Sequence, residues 1–148
     1  QDFSQHVQQE TDRHGKEMTQ NALWQLFRTR YGLVETPQFA LQSYRSDSQQ
    51  DGQLRLTASV ATQGGTRQLE GHGNGLLSAA AHGLSRWINA PFVIKDYHEH
   101  TLGERSDSRS VAYIRCLFQD GTSRWGVGID SDVARASLQA LFNAVSRS

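Results

Sequence analysis

The stretch Glu70-Gly-His-Gly-Asn-Gly-Leu-Leu-Ser78 constrains the fold of this 148-residue chain more than any other. Residues that alternate like a strand precede it, and Ala79-Ala80-Ala81, strong helix formers, follow it. Three glycines and an asparagine between them predict a tight strand-to-helix turn whose amides stay bare of side chains. Asn74 is a natural N-cap, and Gly75 to Ser78, the first turn beyond it, carry no acidic residue. Such a helix start can take an anion on its unpaired amides and the positive end of its dipole. A plain, well-capped turn would use the same residues.

Around this stretch the apolar residues recur with a period of two. Phe39 and Leu41 open a strand, and Asp51-Gly52 marks a turn. Leu54, Leu56, Ala58 and Val60 then alternate with Arg55, Thr57, Ser59 and Ala61 up to Gly64-Gly65. A short strand reaches Glu70, a helix runs from about Gly75 to Trp87, and Pro91 blocks its continuation. The order then repeats. Phe92 to Tyr97 reads as a strand, and Val111, Tyr113, Arg115 and Leu117 alternate with Ala112, Ile114, Cys116 and Phe118. After Asp120-Gly121, a strand through Trp125 leads to Gly126-Val127-Gly128 and a helix from about Ser131 to Val145. Its stripe is Ala134, Leu138, Leu141 and Val145. The expected fold is α+β: two βββα units, about 36–90 and 91–148, packed together. Gly71-His72-Gly73 and Gly126-Val127-Gly128 are placed equivalently in the two units. Residues 111–118 are apolar on both faces, which predicts that a second subunit covers one of them.

Residues 1–35 differ. They are polar and rich in glutamine, with Leu23, Trp24, Phe27 and Tyr31 on one helical face and too few apolar residues for a core. They read as a helical linker to another domain. The chain begins at Gln1 without a methionine, which fits a piece of something longer. Fifteen basic and fifteen acidic residues balance, so bulk charge offers nothing to nucleic acid or an acidic membrane. No apolar run approaches a membrane span. One cysteine, Cys116, in an apolar run reads as a reduced core thiol and points to the cytoplasm.

The two helix starts are not equivalent. Asp130-Ser131-Asp132 opens the second helix, so carboxylates already serve its amides and dipole. The first has none. A small anionic ligand is therefore expected at Gly75 to Ser78.

Taken together, Gly73-Asn74-Gly75, Asp96-Tyr97-His98-Glu99-His100, Ala112-Tyr113, Trp125-Gly126-Val127-Gly128-Ile129 and Ala136-Ser137-Leu138 resemble one family. It is the C-terminal regulatory domain of alpha-isopropylmalate synthase. Asp2-Phe3-Ser4 and Leu23-Trp24-Gln25-Leu26-Phe27 resemble the linker subdomain that precedes it, so the likeness spans the whole chain. The resemblance implies a homodimeric domain that binds leucine and inhibits condensation of acetyl-CoA with 2-oxoisovalerate. The catalytic TIM barrel, with its divalent metal, would lie elsewhere in the same polypeptide, since 148 residues with this pattern cannot hold eight βα repeats. No catalytic residue and no cofactor is expected in this chain. The resemblance places the effector between the units, at Asn74, Gly75, Leu77 and Ser78 on one side and Ile94 and Tyr97 on the other. Thr101, Ser108, Ser110 and Ile129 would complete its wall. Leu76 stands where the family often has proline, and Ser108 and Ser110 where small apolar residues are common.

Other chemistries fit less well. His98-x-His100 puts two rings on one strand face, but two histidines do not close a zinc site, and no metal is expected. Gly71-x-Gly73-x-Gly75 is neither a dinucleotide fingerprint nor a P-loop. No Gly-x-Ser-x-Gly elbow appears. Two alternatives remain: a dimerisation module with an unused pocket, and the isoleucine-sensing domain of citramalate synthase.

Overall fold

The computed structural model describes residues 38–103 and 108–146. The expected linker, 1–35, lies outside the described residues. Strands β1 (Phe39–Ser48), β2 (Leu54–Thr62) and β3 (Gly65–Gly73) precede helix α1 (Leu76–Ile88). Strands β4 (Phe92–Leu102), β5 (Arg109–Phe118) and β6 (Ser123–Asp130) precede helix α2 (Val133–Ser146). Each trio is an antiparallel sheet in sequence order, so the chain is α+β with two βββα units, as its periodicity predicts. One turn device serves both units. Asp51 Oδ1 accepts from the Gln53 amide and Asp120 Oδ1 from the Thr122 amide, beside Gly52 and Gly121 at φ 81° and 89°.

The alternation read in the sequence becomes one shared core. Leu56, Ala58, Val60 and Leu69 come from the first sheet, and Ala112, Ile114, Cys116 and Phe118 from the second. Ala79, Ala80 and Leu84 of α1 meet Leu138, Leu141 and Phe142 of α2 between them. Each helix lies on its own sheet and also touches the first strand of the other, α1 against β4 and α2 against β1. Phe39 of β1 shows the second contact, 6.0 Å from Trp87 and 6.4 Å from Phe142 between ring centres.

The paired glycines have a different role from the one their sequence suggests. Gly71 and Gly73 lie inside β3, and Gly126 and Gly128 inside β6, beneath the helices. A Cβ at Gly71 would sit 2.0 Å from the Ala79 carbonyl oxygen, and one at Gly126 2.0 Å from that of Ala140. They are glycines because helix and sheet backbones touch there. The equivalence of the two pairs also shifts by two residues. Gly71 meets Ala79 and Gly83, whereas Gly128 meets Ala136 and Ala140, so Gly128 is the counterpart of Gly71. The ladders agree: Ser46, Leu56 and Gly71 form one cross-strand row, and Glu99, Ala112 and Gly128 its match. Both first strands carry a bulge at the same place, Leu41/Ser43 and Ile94/Asp96, which aligns Tyr44 with Tyr97.

Three further expectations change. The N-cap of α1 is Gly75, not Asn74. β4 continues past Tyr97 to Leu102. On the face of β5 away from α2, Val111 and Tyr113 are already buried within one chain, so this two-sided pattern gives no argument for a second copy. Helix α1 ends at Asn89 in the left-handed region (φ 55°), with Pro91 just beyond.

Cys116 is fully buried, and burial pushes its thiol up to about 12. In folded protein at about pH 8 a thiol reagent is expected to leave it unmodified, and to react within seconds to minutes once denaturant is added. Rapid labelling of the native chain would show that the β5 core opens readily.

Candidate functional site

Asn74 through Ser78 at the start of α1 and Val133, Ala134 and Ser137 at the start of α2 border one cleft of about 480 Å³. Trp87, Ile88 and Val145, from the far ends of the same helices, border another of about 780 Å³ with Phe118 and Arg124. The helices therefore run in the same direction, and the two clefts differ in polarity. The second presents helix carbonyl ends and a guanidinium laid 3.8 Å over the Phe118 ring. Only the first presents amides.

Gly75 caps α1 in extended backbone (φ −162°) and offers no side-chain acceptor. The first helical bond runs from the Ala79 amide to the Gly75 carbonyl at 2.9 Å, which leaves the amides of Leu76, Leu77 and Ser78 without a helical partner. Asn74 does not fill that gap, because its Oδ1 accepts the Ser78 hydroxyl at 2.8 Å. No acid in the first turn offsets the positive end of the α1 dipole, which faces the cleft.

Strand β4 builds the opposite wall. Tyr97 and Glu99, two residues apart, project from one face. The Tyr97 hydroxyl donates to Glu99 Oε2 and lies 2.8 Å from Ser137 Oγ, which donates to the Val133 carbonyl at 2.9 Å. Burial, then the Glu99 carboxylate, raises the Tyr97 hydroxyl above its usual pKa, so it stays protonated. Leu76, Leu77, Val133 and Ala134 supply apolar surface between the polar walls. One side is thus electropositive backbone, the other a carboxylate with hydroxyls, and the floor is aliphatic.

The equivalent place in the other half is filled. Asp132 Oδ1 accepts the Ala134 amide at 3.1 Å, and Asp130 Oδ1 accepts the Asp132 amide at 3.0 Å. Arg135 lies 3.5 Å from Asp130 and donates to the Gln42 carbonyl. Tyr44, the counterpart of Tyr97, has its hydroxyl pKa raised by burial first and by Asp132 next. The chain's own charges occupy this second helix start.

Of the residues singled out from sequence, Asn74, Gly75, Leu77, Ser78 and Tyr97 come together in the cleft. Ile94 is half-buried against the core. Thr101 and Ser110 pair across β4 and β5, beyond Glu99 and outside the lining. Ser108 lies just before β5, also outside it. Ile129 pairs with Val111 in the row adjoining Ala112–Gly128, so it points to the other face, where it is 4% exposed. Leu76 lies within the segment Gly75 to Ser78 expected from sequence, whereas Glu99, Val133, Ala134 and Ser137 were not anticipated. The signal for Glu99 was available, since strand alternation puts it beside Tyr97. His98 and His100 flank Tyr113 on the opposite face, at 5.4 and 5.9 Å between rings. Among the described residues no cluster of three or more His, Cys, Asp or Glu could hold a metal. Among them, too, no helix is long and apolar enough to cross a membrane.

The chain is thus a duplicated βββα domain with one open helix-start cleft and one self-filled counterpart. Residues 17–148 match the family described as the LeuA allosteric (dimerisation) domain, and the chain belongs to that family. Proteins similar to the chain include ones named 2-isopropylmalate synthase. The one from a Marinomonas species is 42% identical over 145 residues, covering 97% of this chain and 26% of the relative. Those from Thermobifida fusca and Rhodospirillum rubrum are each 36% identical, over 99% and 98% of this chain and 25% and 26% of theirs. The chain spans about a quarter of the length of these curated relatives.

Proposed function

We propose that this chain is the end-product sensor of a 2-isopropylmalate synthase, binding leucine in the α1–β4 cleft and inhibiting the enzyme when leucine accumulates. The observation that carries this reading is the open α1 start facing Glu99 across an aliphatic floor, a charge layout complementary to an amino-acid zwitterion. The ligand carboxylate takes the Leu77 and Ser78 amides, its ammonium faces Glu99 and Tyr97, and its isobutyl group lies on Leu76, Leu77, Val133 and Ala134. Burying that group contributes roughly 1.5–3 kcal/mol, and the charged ends set its orientation. Because α1 belongs to one unit and β4 to the other, a bound ligand bridges the halves and favours one arrangement of them. That bias would pass through residues 1–35 to a catalytic barrel in the same polypeptide, where the divalent metal also belongs, and the domain would pair two such chains in the cytoplasm. The allosteric and dimerisation description of the family supports this reading, and the names of the relatives favour leucine over the isoleucine of the citramalate branch.

Calorimetric titration of the chain with leucine, isoleucine and valine tests it. Saturable heat for leucine, weaker for the other two, is the expected result. Preference for isoleucine would move the parent to the citramalate branch. Absence of heat with an unchanged melting temperature would leave a dimerisation module.

A further inference from the structure

We propose that Glu99 is the residue that lets the cleft distinguish an α-amino acid from the 2-oxo acid bearing the same side chain. This rests on the reading of the cleft as an amino-acid site and says which half of the ligand is tested. The α1 start supplies what a carboxylate needs, and both ligand types have a carboxylate. The aliphatic floor meets the same side chain in either. Discrimination must therefore come from the β4 wall.

The hydrogens available there are few. The Ser137 hydroxyl serves the Val133 carbonyl, the Tyr97 hydroxyl serves Glu99, and the two hydroxyl oxygens also touch each other at 2.8 Å. Two hydrogens are shared among three contacts, so neither hydroxyl has one to spare for a ligand's keto oxygen. What the wall offers is oxygen lone pairs and the Glu99 negative charge. An ammonium, with three N–H donors and a positive charge, satisfies such a wall, whereas a keto group brings only another acceptor.

The counterpart half makes the same point in reverse. Ser46 occupies the row position of Glu99, so the strand acid is absent where the helix start is already filled. There Asp132 accepts the Ala134 amide, with Asp130 and Arg135 paired beside it. Internal charges of both signs stand where the open cleft would hold a ligand's. The discrimination has a use: the proposed parent reaction consumes a branched 2-oxo acid, and a sensor blind to the amino group would respond to substrate as well as product.

The test is calorimetry of the chain and its Glu99→Gln variant with L-leucine and with 4-methyl-2-oxopentanoate. Gln keeps an oxygen for Tyr97 and removes the charge, and equal ligand-free melting temperatures check that the fold is intact. The parent should prefer leucine by at least about tenfold, and the variant should lose about 10- to 100-fold on leucine while the oxo acid binds as well or better, since the Gln amide brings a donor and no charge. A variant that keeps the parent's preference, or loses both ligands equally, overturns the role of Glu99 while the amino-acid site stands. A parent that binds both ligands alike overturns it too. A parent that binds neither removes the proposed function and this inference with it.

Discussion

Replacing Gly126 and Gly128 together by alanine is expected to push α2 off its sheet and unfold the second unit at moderate temperature. The new Cβ atoms would lie 2.0 Å from the Ala140 carbonyl oxygen and 2.1 Å from that of Ala136. Both obstacles are helix backbone, which has no rotamer to swing away, so the helix itself must move. Displacing it loosens Leu138, Leu141 and Phe142 from Ala112 and Ile114, the centre of the core. Overpacking of this kind typically costs about 1–3 kcal/mol per site, and the pair should lower the melting temperature by about 10 °C or more. Gly64→Ala is the control, since its Cβ would meet only Thr62 Oγ1 at 3.9 Å. A double variant that melts with the parent would mean that the helix rides higher on the sheet than described here.

These glycines also show what a single sequence can and cannot reveal. Period-two alternation exposed the strands, because a half-buried strand must sort its side chains by face, and Leu54 to Val60 does so residue by residue. The order of elements followed from that. A glycine, however, has no side chain to sort. Gly71-x-Gly73 reads equally as a turn or as a strand under a helix, and only the Ala79 and Gly83 backbones lying against Gly71 decide between them. The two-residue shift between Gly71 and Gly128 was hidden for the same reason, since it lives in the pairing of distant strands. Of the site, the α1 side was legible because it is local: a helix start without acids is written in consecutive residues. The opposite wall is assembled from β4 and α2, about 40 residues apart between Tyr97 and Ser137, and no local pattern announces that meeting. Ile129 shows the converse. The family resemblance implied a wall residue there, yet β6 register turns it to the far face.

The substitution Gly75→Asp is expected to abolish leucine binding while leaving the fold as stable as before or slightly more so. Gly75 is extended at φ −162°, a conformation open to any residue, and an added Cβ would meet nothing within 4 Å. An aspartate there becomes the N-cap that α1 lacks, accepting the Leu77 or Ser78 amide as Asp132 does for the Ala134 amide in α2. The gain over glycine as a cap is only a few tenths of a kcal/mol, about 1 °C or less in melting temperature. The loss to the ligand is much larger. Its carboxylate would find the amide taken and a negative charge in its place, so affinity should fall at least about 100-fold, from the loss of charge-assisted hydrogen bonds and the new repulsion. Gly75→Asn separates the two causes, since it caps the amide without the charge and should weaken leucine by a smaller factor. Calorimetry and thermal melting on the three proteins read both effects at once. A Gly75→Asp chain that still binds leucine like the parent would move the ligand carboxylate away from the α1 start. Lost affinity with unchanged melting would show that α1 is left uncapped for its ligand, as α2 is capped against one.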